Sequence, residues 1–281
     1  MDIYYVDGQF VEEDKAVISV KDIVVLRGFG VFDFLITYNK RPFRLEQHVE
    51  RLQNSASHIG LDIKLSTEEI CAITEETIKR NTHHDESNIR LVYTGGIADD
   101  GTTPQGNGHL MVMVTPKHQL PDWWYTDGVK IITVDFQRIF PLSKSTNYLT
   151  AVYALGLAKE QNAVEAIHID KENRLQEGTT TNIFMFKGNQ LITPEKNILP
   201  GVTRSVILEL AADHFEVEVR DIDKGELSDA EEIFITASNK EVVPVVTIDD
   251  LTIDDGKPGP KTRQMMQLFR YHTTAYGQGK V

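Results

Sequence analysis

Apolar positions change their spacing several times along this chain, and each change marks an element. Ile3 to Val6 and Gln9 to Val11 flank Asp7-Gly8, a two-residue hairpin signal. In the stretch from Leu26 to Tyr38, Gly28 and Gly30 stand beside aromatic residues, which marks a bend where the backbone approaches something closely. The strand after that bend should end at the turn Asn39-Lys40-Arg41-Pro42. Leu45, Val49, Leu52, Ala56 and Ile59 then recur at helical spacing, with Gly60 as the stop. Ser66 and Glu69 form a capping box for a second helix ending near Arg80. From Asn88 to Thr94 the period drops to two: Ile89, Leu91 and Tyr93 face one way, Arg90 and Val92 the other. The polar, glycine-rich loop 95–108 separates this strand from a buried one at His109 to Thr115.

Pro116 to Asp127 carries two prolines and two tryptophans without periodicity and reads as a connection. Beyond it the pattern predicts strands over 129–134, 166–169, 174–177, 182–186, 190–193, 216–220 and 232–236. Helices are expected over 147–161 and 203–214, with a closing helix from about Pro260. A chain of 281 residues is long enough for two domains. The expected division is 1–115, a connection at 116–127, and 128–281.

Composition narrows the function classes. Hydrophobic residues make up 41% and charged residues 25%, the ordinary globular mixture. With 29 basic and 42 acidic residues the formal net charge is -13, which repels phosphate backbones and argues against nucleic acid as a partner. An anionic substrate must then be held by locally placed arginines. Cys71 is the only cysteine, so neither an internal disulfide nor a Cys-rich metal site is available, and no metal is expected. The N-terminal residues show no basic stretch followed by an apolar core, and no apolar run is long enough for a bilayer. The expected compartment is the cytoplasm, with no membrane association.

Three short stretches carry candidate chemistry: Lys144-Ser-Thr-Asn-Tyr148, Glu177-Gly-Thr-Thr-Thr-Asn182, and Leu199-Pro-Gly-Val-Thr-Arg204. Taken singly they are a surface lysine, a turn carboxylate and a glycine before a helix. In this order and spacing they resemble the class IV pyridoxal-phosphate aminotransferases, and the resemblance runs from the first hairpin to about Pro244. It implies pyridoxal 5'-phosphate as cofactor, with Lys144 as both Schiff-base lysine and proton carrier. It implies Tyr148, one helical turn on, as donor to the ring phenolate, and Glu177 as partner of the pyridine nitrogen. Thr180, Thr181 and Asn182 would line the site or satisfy a tight loop. The phosphate would lie on the helix start at Gly201, Val202 and Thr203, with Arg51, Ser238 and Asn239 also reaching it.

The substrate positions depart from the family pattern. Typical branched-chain members have tyrosine at Arg27, glycine at Phe34 and arginine at Ile36. Typical D-amino-acid members have tyrosine at Phe32 and an Arg-X-His motif in the loop that here reads Gly95 to Gly101. The candidate substrate residues are therefore Arg27, Phe32, Phe34 and Arg90, the two arginines suiting carboxylates. A plain alternative for Arg27 is an ion pair with Asp22. The resemblance implies fold type IV, a mixed α/β class: a small α/β N-terminal domain plus a larger C-terminal domain around a barrel-like sheet. It also implies a homodimer acting on small amino acids and 2-oxo acids, with D-amino-acid transamination expected first. Branched-chain transamination comes second, and an aminodeoxychorismate lyase third.

Overall fold

The computed structural model describes residues 1–281, and the chain divides into two compact units. The first comprises Met1–His118, Leu142–Tyr148 and Thr273–Val281; the second comprises Gln119–Pro141 and Leu149–His272. The units are thus not contiguous in sequence, and Lys144 belongs to the first of them rather than to the second half of the chain where it was expected.

The first unit contains β1 (Ile3–Val6), β2 (Gln9–Glu12), α1 (Ile23–Arg27), β3 (Gly30–Tyr38), β4 (Arg41–Pro42), α2 (Leu45–His58), α3 (Thr67–Lys79), β5 (Ser87–Thr94) and β6 (Leu110–Pro116). Its six strands run in the order β2-β1-β6-β5-β3-β4. The opening hairpin turns where expected, with Asp7 and Gly8 both at positive φ, 42° and 91°. The two-residue period of β3 and β5 sorts their faces. Val31, Leu35, Ile89 and Leu91 pack under Val49 and Leu52 of α2, while Arg90 is exposed on the opposite face. The capping box on α3 forms as expected, with Ser66 and Glu69 each satisfying the other's backbone amide.

The second unit holds α4 (Trp123–Thr126), β7 (Val129–Val134), α5 (Leu149–Glu160), β8 (Ala166–Ile169), β9 (Arg174–Gly178), β10 (Asn182–Lys187), β11 (Gln190–Thr193), α6 (Val202–Ala211), β12 (Glu216–Val219), β13 (Ile222–Asp223), β14 (Glu232–Ala237), β15 (Glu241–Ile248), β16 (Leu251–Thr252) and most of α7 (Pro260–Gly277). Its ten-stranded sheet has the order β12-β11-β10-β14-β15-β7-β8-β9-β13, with β16 beside β15. Two sheets in a mixed α/β chain agree with the expected fold class.

Several elements differ from the sequence reading. Helix α1 was not expected: Asp22 caps it by accepting from Val24 N at 2.8 Å, and Gly28 closes it at φ 65°. The nominal connection contains α4. Helix α5 starts at Leu149, so Lys144 and Tyr148 precede it and are not one helical turn apart. β15 was missed because Pro244 argues against a central strand. In the structure the ladder to β7 begins only at Val245, one residue beyond the proline, and its register shifts between Val245 and Thr247.

Candidate active site

In the first unit the glycine bend explains itself. Gly28 O accepts from Thr146 Oγ1 at 2.7 Å, and Gly30 O accepts from Thr146 N at 2.9 Å. A Cβ on Gly30 would stand 2.9 Å from Tyr93 O and 3.2 Å from Thr146 Oγ1. What the bend approaches is the lysine segment itself. Lys144 is pinned from two directions, its N donating to Ser55 Oγ on α2 at 3.0 Å and its O accepting from Phe32 N at 2.9 Å. Ser145 bridges to Val31. The Lys144 ammonium lies 4.8 Å from the centre of the Phe32 ring, whose other neighbour is Tyr148, edge-on at 5.2 Å. The Arg90 guanidinium stands 5.6 Å from the rings of both Phe32 and Phe34. Lys144, Phe32, Tyr148, Phe34 and Arg90 are thus brought to one face of the β3–β5 pair.

Arg27 is not brought there. It is exposed at the end of α1, where its guanidinium donates to Leu26 O at 2.8 Å. It does not pair with Asp22, whose buried carboxylate is taken by Val24 N and Thr94 Oγ1.

Arg51 is no solvated surface charge. Its side chain is 11% exposed and lies against Asp33, which is fully buried. Arg51 Nε donates to Asp33 Oδ2 at 2.8 Å and its NH2 group to Oδ1 at 2.9 Å, a bidentate pair. His48 Nδ1 lies 2.6 Å from Oδ1, and Phe34 N donates to the same oxygen at 2.7 Å. Burial alone would raise the Asp33 pKa, but the neighbouring Arg51 and His48 more than reverse this and hold it far below the usual carboxylate range. Burial lowers His48, so the neutral imidazole is favoured despite the adjacent carboxylate. Asp33 and His48 were missed in the sequence because a lone acid in an apolar strand announces no partner.

In the second unit Glu177 is the last residue but one of β9 and is buried. Its Oε2 accepts from Leu199 N at 3.0 Å and its Oε1 from Arg138 at 2.5 Å. Arg138 drew no argument from the sequence, yet it is the charge partner of Glu177. The threonines divide their work. Thr179 and Thr180 surround Glu165, which is fully buried: both amides and both hydroxyls donate to its carboxylate at 2.5–3.2 Å. Lys240 in turn donates to Thr180 Oγ1 at 2.8 Å, so a hydroxyl links a buried acid to a half-buried cation. Glu165 and Lys240 were also missed, since neither stands in a recognisable motif. Asn182 donates to Leu199 O at 3.1 Å, and its Oδ1 lies where a Cβ on Gly201 would fall. The loop after Glu177 is thereby fastened to the helix start.

These residues fit the expected cofactor. The α6 N-terminus at Gly201 has no capping side chain, leaving its first amides, at Val202 and Thr203, for an anion. The hydroxyls of Thr181 and Thr236 are buried without any hydrogen-bond partner, an arrangement that a polar group of a ligand would relieve. Ser238 and Asn239 occupy the turn that follows β14, two residues beyond Thr236.

Known proteins agree with this chemistry. Residues 30–248 match the family model for amino-transferase class IV. A protein of Methanocaldococcus jannaschii, provisionally named a branched-chain-amino-acid aminotransferase, is 35% identical over 97% of both chains. The D-alanine aminotransferase of Bacillus licheniformis is 32% identical over 94% of both. The branched-chain aminotransferase of the archaeon Thermoproteus uzoniensis, solved with norvaline, superposes with a TM-score of 0.90 at 27% identity, covering 99% of this chain and 97% of that one. This chain belongs to the class IV aminotransferases, transferases that depend on pyridoxal phosphate.

Proposed function

We propose that this enzyme moves an amino group from an amino acid of D-configuration, D-alanine or D-glutamate, to a 2-oxo acid such as 2-oxoglutarate. The observation that carries this reading is Arg90, an exposed guanidinium on the face that also holds Phe32 and Lys144. A cation there offers a bidentate seat for a carboxylate and is a poor host for an isobutyl group. Arg27 is proposed as a second carboxylate contact, made to the site of a partner subunit.

Pyridoxal phosphate, when bound, carries the amino group between donor and acceptor and draws electrons from the substrate Cα. The chain's own residues do the rest. Lys144 holds the cofactor covalently at rest and moves the proton at Cα. Its backbone tethers to Ser55 and Phe32 limit where that amine can reach. Glu177 keeps the pyridine nitrogen protonated, and its bonds to Leu199 N and Arg138 fix its orientation. Tyr148 donates to the ring phenolate. Arg51, Ser238, Asn239 and the start of α6 hold the phosphate, with Thr181 as a further donor. Thr180 and Asn182 act through the loop they fasten.

A second reading, transfer from a branched-chain L-amino acid, is favoured by the apolar rings of Phe32 and Phe34 on the same face and by the relatives that carry that name. A panel of paired D- and L-donors with 2-oxoglutarate decides between them. D-alanine or D-glutamate should outpace its L-partner; a faster reaction with L-leucine or L-isoleucine replaces the first reading with the second.

The proposed assembly is a homodimer. Helix α5 exposes Leu149, Val152 and Tyr153, an apolar stretch that a second copy would cover. Sedimentation at micromolar concentration tests this, and a monomer would refute it. No helix is long and apolar enough to cross a membrane. The proposed compartment is the cytoplasm.

A further inference from the structure

One cluster of ligating side chains in the first unit has no part in amino transfer. Asp2 precedes β1, and His83-His84 lie in the turn between α3 and β5. His83 Nε2 is 2.9 Å from Asp2 Oδ1, and His84 Nε2 is 3.0 Å from the same oxygen. The three donor atoms all lie within 4.8 Å of one another. We propose that Asp2, His83 and His84 form a binding site for a divalent transition-metal ion, Zn(II) foremost.

The donor set suits that ion. Two imidazoles and one carboxylate, with a fourth position left for water, are a recurrent zinc environment. Metal–ligand distances of about 2.0–2.1 Å in a tetrahedron put the ligand atoms roughly 3.3 Å apart. The two imidazole–carboxylate separations, 2.9 and 3.0 Å, therefore need to widen by only a few tenths of an ångström, and the two imidazole nitrogens lie within 4.8 Å of one another. The frame holding them is built without the ion. Asn81 clasps the first strand, accepting from Ile3 N at 2.9 Å and donating to Ile3 O at 2.7 Å. Asp2 O accepts from Glu13 N at 3.0 Å. The His84 side chain is 4% exposed, so its ring is held by packing, and its Nδ1 faces Ser87 Oγ at 3.3 Å. A hydrogen bond behind the ring is what orients a ligating histidine and selects its tautomer. The His83 side chain is 50% exposed and opens the cluster to solvent, giving an ion a way in.

The competing account is a hydrogen-bonded cluster in which both rings donate to one carboxylate oxygen. In that case both Nε2 atoms carry protons and no ion is needed. The two accounts differ in what added metal does. The test uses untagged holoenzyme, dialysed against chelator and then titrated with ZnCl2 at pH 7.5, with Co(II) as a spectroscopic probe. One equivalent of Zn(II) should bind with a dissociation constant in the micromolar range or below, raising the melting temperature of the protein. Co(II) should give visible absorption typical of nitrogen and oxygen ligands. His83→Ala and Asp2→Asn should each weaken binding at least tenfold while leaving transamination unchanged, since neither residue belongs to the catalytic machinery. His118→Ala, another first-unit histidine, should bind as the wild type does. Equal Zn(II) binding by wild type and His83→Ala, or no stoichiometric binding at 100-fold excess over protein, overturns the proposal. The outcome is independent of substrate handedness and of the cofactor assignments.

Discussion

Replacing Asp33 by Asn tests how Arg51 is held. Asn keeps the shape and still accepts from Phe34 N, so what is lost is the charge. The two Arg51 bonds to Asp33 are charge-assisted and nearly shielded from water. Removing one partner of such a buried pair costs about 3–5 kcal/mol, because the other charge stays behind uncompensated. At roughly 2–4 °C per kcal/mol, the first unfolding transition of the apoprotein should fall by about 10 °C. Acid behaviour should change too. The folded pKa of Asp33 lies below the unfolded value, so its contribution to stability is present above about pH 4 and is lost as pH falls through the folded value. His48 is also depressed, so its contribution is present above about pH 6.5 and fades on acidification. Both slopes have the same sign: the wild type is progressively destabilised by acid, and Asp33→Asn should lose the steeper, lower part of that curve. Calorimetric scans from pH 3 to 8, with cofactor retention on dilution as a second readout, measure all of this. A variant melting within about 2 °C of wild type, with unaltered acid slope and equal retention, would refute the view that Asp33 anchors Arg51.

Three further outcomes follow from the same geometry. Lys144→Ala should bind pyridoxal phosphate without forming a covalent link and lose at least about a thousandfold in transamination; borohydride trapping followed by peptide mapping would expose the error if another lysine is labelled in wild type. Glu177→Gln keeps the bond from Leu199 N but removes the charge opposite Arg138, so half-reaction rates should drop roughly a hundredfold or more while occupancy falls less, and an unchanged rate excludes Glu177 from the chemistry. Glu165→Gln substitutes an amide for one of two oxygens, Oε1 accepting from Thr179 and Oε2 from Thr180, which should cost about 2–4 kcal/mol and loosen cofactor binding; a melting curve and cofactor affinity equal to wild type would show that the loop needs no buried anion.

Local signals in the sequence carried much of this architecture. The Asp7-Gly8 hairpin, the Ser66–Glu69 capping box, the face sorting of β5 and the limits of β7 depend on neighbours within a few residues, and those rules operate in any tertiary setting. The chemistry-bearing stretches were equally legible, because a lysine, a glutamate followed by threonines, and a glycine opening a helix keep their spacing in the chain. Where the strands were misjudged, a non-local condition decided the matter: Pro244 is tolerated in β15 only because the ladder to β7 starts beyond it. The supporting residues were invisible for the same reason. Asp33 acquires its meaning from Arg51 and His48 on another element, Glu165 from threonines 14 and 15 residues on, and Arg138 from a carboxylate 39 residues away. Periodicity states which face a side chain takes, but not which charge will stand opposite. Partner choice for a buried charge is set by desolvation, whose cost exists only once the surrounding elements have closed over it. That is why the family motifs could be read from the chain, while the buried partners Asp33, His48, Glu165 and Arg138 emerged only from the fold.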